Sequence, residues 1–193
     1  LSMKLQNLRT NIKMPVFSRT DVLKLFPEEP VNKINTQLYR MIKRGDLIGL
    51  KRGMYVFPNL NIDEFVIANK LYSPSYVSLE SALNIFGVIP DIPSVVTSVT
   101  TVTSKKINTS LGNFKYSKIN ENLFFGYKSI LDERSGFYYS IANPEKALLD
   151  FIYIRKVKNL SEYRVDLNNV NQTELFNYSQ HFPKWVRDVI KNA

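Results

Sequence analysis

Between Ser18 and Pro58 the chain reads as helix, turn, helix, hairpin, and few compact folds accept that order. Ser18 offers an oxygen to the N–H groups that open a helix, and Asp21 stands three residues on to accept in return. Val22, Leu25 and Phe26 form its apolar side, Pro27 closes it, and Glu28-Glu29-Pro30 makes a turn. The clearest helix follows over 31–44. At ~100° per residue, Val31, Ile34, Leu38, Met41 and Ile42 cover an arc of about 100°. Lys33, Gln37, Arg40 and Arg44 gather opposite them, within about 60° of one another. Asn32 is the expected cap and Gly45 the left-handed stop. Two apolar runs, Leu47–Leu50 and Met54–Phe57, flank Lys51-Arg52-Gly53, as strand, basic glycine turn and strand do in a hairpin. A short helix within 3–14 and an extended Val16-Phe17 precede this unit, with Pro15 between them. The order predicts a winged helix-turn-helix over residues 1–60.

Charge points the same way. The net charge is +9, and residues 1–60 hold 11 Lys/Arg against 4 Asp/Glu, a balance of +7. Residues 61–193 hold 15 against 13, a balance of +2. A basic unit joined to a near-neutral one suits a polyanionic partner for the first part. In a winged helix-turn-helix the second helix lies in the major groove and the hairpin reaches phosphates. Lys33, Gln37 and Arg40 are therefore expected at base edges, since Arg and Lys pair with guanine and Gln with adenine. Asn35, Thr36, Lys43 and Arg44 complete or border that face, and Lys51 and Arg52 at the hairpin tip suit phosphate contacts.

The remainder, 62–193, predicts a mixed unit. Helices are expected over about 62–72, over 79–86 with Ser78 as cap and Gly87 as stop, and from Pro144 behind Asn143. Strands are expected in 94–104, 114–119, 123–129 and 136–141. No helical pattern interrupts 94–141, which argues against a parallel sheet. Two helices close the chain, the first opened by Asn171 with Glu174, the second by Pro183. The fold class is α+β: the winged unit, then a mostly antiparallel sheet with flanking helices.

Enzyme chemistry is poorly supplied. There is no Cys and a single His, His181, so thiolate catalysis and multi-His metal sites are excluded. The seven glycines are scattered and form no phosphate-binding loop. Glu145 and Asp150 lie about 140° apart on one helix and do not converge. Asp132, Glu133 and Asp150 are the acids a metal-dependent alternative would need, and their spacing places no two on one ion. The expectation is a protein without catalysis, cofactor or metal. No run approaches the ~18 apolar residues of a membrane span. Leu1-Ser2-Met3-Lys4 lacks a signal-peptide apolar region, Met3 reads as a natural start, and a cytoplasmic protein is expected.

Four strings carry a resemblance: KRGMY (51–55), YVSLESALNIFG (76–87), GNFKYSKI (112–119) and IANPEKALLDFIY (141–153). In order and spacing across about 30–155 they resemble the AbiEi-type antitoxins of abortive-infection, type IV toxin–antitoxin systems. The resemblance implies an N-terminal winged helix and a C-terminal α/β antitoxin domain. It also implies a repressor of its own operon that binds double-stranded DNA at promoter repeats and counteracts a nucleotidyltransferase-like toxin. By the same resemblance Lys33, Gln37, Arg40, Lys51 and Arg52 fall where DNA contacts lie. The chain departs from fuller members after about 158. The competing expectation is a plain winged-helix regulator whose second part is a protein-interaction or effector module.

Overall fold

The computed structural model describes residues 2–191; Leu1, Asn192 and Ala193 lie outside the described residues. Among the described residues, two sheets and eight α-helices make a mixed α and β structure. The first part runs α1 (Leu5–Asn11), β1 (Val16–Ser18), α2 (Arg19–Leu25), α3 (Val31–Lys43), β2 (Ile48–Lys51) and β3 (Met54–Val56). The extended lead-in is thus a paired strand. The small sheet has the order β1-β3-β2, antiparallel throughout.

Local chemistry explains these boundaries. Ser18 Oγ accepts from the Asp21 N–H at 3.1 Å while the Asp21 carboxylate accepts from the Ser18 N–H at 2.7 Å, a complete capping box. Gly45 takes φ +77° after α3, and Gly53 takes φ +76° in the hairpin turn, both conformations that favour glycine. The expected Asn32 cap is not formed: Pro30 occupies the cap position, because its fixed φ already leads the chain into α3.

The larger part adds α4 (Glu64–Leu71), β4 (Ser75–Val77), α5 (Leu79–Ile85), β5 (Val96–Thr100), β6 (Lys105–Thr109), β7 (Gly112–Lys118), β8 (Tyr127–Asp132), β9 (Phe137–Ala142), α6 (Pro144–Arg155), α7 (Gln172–Ser179) and α8 (Lys184–Lys191). Its six strands have the order β6-β7-β5-β4-β9-β8. No α-helix interrupts 94–141; a short 3-10 turn, Glu121–Leu123, stands where a strand start was expected. Pairing is mostly antiparallel, yet β5 with β7 and β4 with β9 are parallel. The first exception needs no crossover helix. The chain leaves β5, passes to the sheet edge as β6, and returns by a tight turn as β7 between them. Sequence reading missed β4 and β6: one is three residues long, the other opens on two lysines. Of the expected 94–104 strand, Val96–Thr100 forms and every one of its residues is buried, which is why its valines show no period of two.

Helix α4 covers one sheet face, where Tyr116 donates to the Ala68 carbonyl at 2.6 Å and Phe65 meets Tyr139 edge-on. Helices α5 and α6 cover the other, where Tyr76 and Thr97 point. Residues alternate across the small sheet as well. Phe17 and Tyr55 join α1, α2 and α3 in one core through Leu8, Val22, Phe26, Ile34, Leu38 and Met41. Val16, Leu50 and Val56 turn the other way, into the larger core. The small sheet is therefore packed on both faces.

Candidate nucleic-acid interface

Helix α3 is anchored by Ile34, Leu38 and Met41, all buried. The expected apolar arc was too wide. Val31 is 48% exposed and Ile42 37%, so the buried side centres on three residues. At ~100° per residue, the outward direction then falls near Thr36 and Lys43, flanked by Arg40 on one side and Tyr39 on the other. Lys33, Gln37 and Arg44 lie toward one flank, and Gln37 is only half exposed. Tyr39 escaped the sequence reading, which weighed polar residues alone. The residue is 61% exposed, and the Lys43 ammonium sits 5.6 Å from its ring centroid.

The other expected residues sort by what they touch. Lys33 pairs with Glu29 at 2.7 Å, and this hydrogen bond, with one from the Met3 N–H, holds the Glu29 carboxyl below its ordinary range. Arg44 pairs with Asp46 at 2.8 Å. Asn35 Oδ1 accepts from Arg19 Nε at 2.7 Å, and the Arg19 N–H donates to the Gly53 carbonyl, so α2, α3 and the hairpin turn are tied together. Thr36 is exposed, and its Oγ1 donates back to the Asn32 carbonyl. Arg40, Lys43 and Arg52 are exposed and pair with no carboxylate among the described residues.

Lys51 departs from its expected position. Its Nζ donates to the Leu71 carbonyl at 2.5 Å and lies 5.9 Å from the Tyr72 ring. Lys105 of β6 lies over the same ring at 5.6 Å. Burial, then the nearby Lys105 charge, lowers the Lys51 pKa. Lys51 fastens the hairpin to the C-terminal end of α4, and Arg52 alone carries the free charge of the tip.

A second polar constellation lies under the larger sheet. Lys146 and Asp150, one turn apart on α6, form an ion pair with both side chains fully buried. The Lys146 ammonium also donates to Tyr76 Oη at 2.8 Å, and Asp150 accepts from Tyr76 Oη at 3.0 Å and Ser78 Oγ at 2.8 Å. The rings of Tyr76, Phe125 and Phe182 stand 5.3 to 5.4 Å from the ammonium. Burial pushes the lysine pKa down and the carboxyl up, and the opposite charge resists each shift. Ser78 is thus committed to Asp150, and the expected side-chain cap on α5 is not made. Asn143 likewise makes no side-chain cap on α6. Glu145 is buried and accepts from the Asn171 N–H at 2.7 Å.

The acids of the metal-dependent alternative are kept apart. Asp132 is enclosed at the β8–β9 turn by Ser135, Arg134 and the Asp63 N–H, whereas Asp150 lies beneath Tyr76. No three His, Cys, Asp or Glu among the described residues gather as a metal site would require. His181 sits exposed in the turn after α7, its ring 4.9 Å from Phe125. Among the described residues, no helix is long and apolar enough to cross a membrane. No family model matches the chain, and no curated protein matches it.

Proposed function

We propose that the first part is a winged helix-turn-helix that binds double-stranded DNA, and that the protein is an autorepressing antitoxin of the AbiEi type. The single observation that carries the DNA reading is the outward face of α3. Thr36, Tyr39, Arg40 and Lys43 project from a helix whose opposite side is locked in a core, with the free charge of Arg52 on the adjoining hairpin. That set supplies guanidinium, ammonium, hydroxyl and methyl groups to a groove, and a cation to a phosphate. Cations without carboxylate partners favour a polyanion, because counterion release adds to each contact.

The antitoxin reading rests on the resemblance of the four strings. Two of them are physical partners: Tyr76 and Ser78 of one string meet Lys146 and Asp150 of the other in one buried network. This supports reading those strings as scaffold rather than as a toxin-facing surface.

A gel shift with the native promoter repeats against scrambled duplex at physiological salt tests the first claim. Specific retardation supports it, and equal affinity for the two duplexes rejects it. Co-expression of the full chain with an adjacent nucleotidyltransferase-like protein tests the second. Relief of growth inhibition supports an antitoxin; the absence of such a neighbour leaves a plain regulator.

A further inference from the structure

The two edges of the six-stranded sheet are treated differently. The β6 edge opens on Lys105 and Lys106 and lies beside β2 of the small sheet, so charge and a neighbour protect it. The β8 edge has no such neighbour, and its one lysine, Lys128, holds its ammonium 5.5 Å from the Phe86 ring. It runs six residues with no proline, pairs with β9 in unbroken register, and has no strand on its outer side among the described residues. Tyr127 is 41% exposed and Leu131 43%.

Backbone direction along β8 follows from its partner. The Asn143 N–H donates to the Gly126 carbonyl, and Gly126 stands opposite Asn143 in the β8–β9 register. Inward bonding therefore falls on the even-numbered residues, and the N–H and C=O groups of Tyr127, Ser129 and Leu131 point out from the sheet. These three also share one side-chain face.

We propose that β8 is a homodimerisation strand, pairing antiparallel with β8 of a second copy about a two-fold axis through Ser129. That register brings outward-bonding residues opposite one another: Ser129 meets the partner's Ser129, and Tyr127 meets the partner's Leu131 twice over. The edge is thus self-complementary in hydrogen bonding and in its apolar pairs, as a closed two-fold contact requires. Tyr127 enters it preorganised, stacked on Tyr76 at 4.7 Å and 16°. The inference is independent of what α3 binds.

A strand of this length buries less than a standard interface, so the dimer is concentration-dependent. Sedimentation from about 2 to about 200 µM should carry the mass from 22.4 kDa toward twice that value, spanning the micromolar affinity of a small contact. Since the chain has no cysteine, a single introduced thiol can link only to another copy. Ser129→Cys should oxidise to a cross-linked dimer about tenfold faster than Ser110→Cys in the β6–β7 turn, because pairing raises the local thiol concentration. An equimolar mixture of Tyr127→Cys and Leu131→Cys should give mostly the mixed dimer, and Ser129→Pro should shift the native chain to monomer without losing its sheet. A mass of 22.4 kDa throughout, or Ser129→Cys linking no faster than Ser110→Cys, overturns the proposal.

Discussion

Lys146 and Asp150 stand one helical turn apart on α6 as an ion pair with no solvent contact on either side chain. An isolated buried charge is expensive, and Tyr76 and Ser78 offset that cost by completing the hydrogen bonding of the pair. Asp150→Ala should therefore destabilise the protein by about 3–5 kcal/mol, since it leaves the ammonium with Tyr76 alone. Lys146→Met should cost less, because Tyr76 and Ser78 still donate to the carboxylate. The double variant Lys146→Met with Asp150→Leu should recover much of the loss. Urea unfolding of the four proteins ranks these losses.

The Lys146→Met variant also has a pH signature. Without the ammonium, burial raises the Asp150 pKa with less to oppose it, so the folded state holds a proton that the unfolded chain releases. Its stability relative to the native protein should increase as pH falls toward the unfolded carboxylate value of 3.8. Unfolding midpoints in urea from neutral to mildly acid pH give the slope, and a slope equal to that of the native chain contradicts the prediction.

Asp132 behaves in the opposite sense. Burial would raise its pKa, but hydrogen bonds from Ser135, the Asp63 N–H and Arg134 outweigh burial and bring it to about 2. The stability it contributes is complete above the unfolded value of 3.8 and is lost as pH falls through about 2. Asp132→Asn should flatten the stability profile across that window while lowering stability at neutral pH.

Substitutions on α3 and the hairpin should separate by what each side chain touches. Arg40→Ala and Tyr39→Ala should relax base discrimination, with about 1–3 kcal/mol lost if Arg40 makes a bidentate contact. Arg52→Ala should weaken all duplexes alike and reduce the logarithmic salt slope by about 0.9. Lys51→Met should leave that slope unchanged and instead loosen the hairpin from the end of α4, because its ammonium is held by the Leu71 carbonyl. Filter binding across a salt series distinguishes the three.

Two glycines with similar backbone angles should respond differently to alanine. Gly45 has φ +77° and open space where a Cβ would stand, so Gly45→Ala should cost only the left-handed penalty of about 1–2 kcal/mol. Gly126 has φ +70°, and its Cβ would lie 3.0 Å from Lys146 and Tyr178, so Gly126→Ala should cost clearly more. Thermal unfolding ranks the pair.

Features set by short-range chemistry were readable in the sequence alone. The Ser18–Asp21 box, the Gly45 stop, the hairpin at Arg52-Gly53 and the proline start of α6 each depend on residues a few positions apart. Features set by partners distant in the chain were not. Ser78 looks like a cap until Asp150, 72 residues away, takes its hydroxyl. Lys51 looks like a phosphate contact until the Leu71 carbonyl takes its ammonium. Periodicity places Val31 and Ile42 with the core of α3, but the core they would join is too narrow to reach them. Parallel pairing of β4 with β9 joins segments more than 60 residues apart, and no local pattern encodes which strands become neighbours. The sequence by itself determined the local elements and where charge collects, because propensity, capping and turn geometry act over a few residues. Only the tertiary structure decided which polar groups stay free, because a side chain is available to a partner only after the rest of the chain has made its own claims on it.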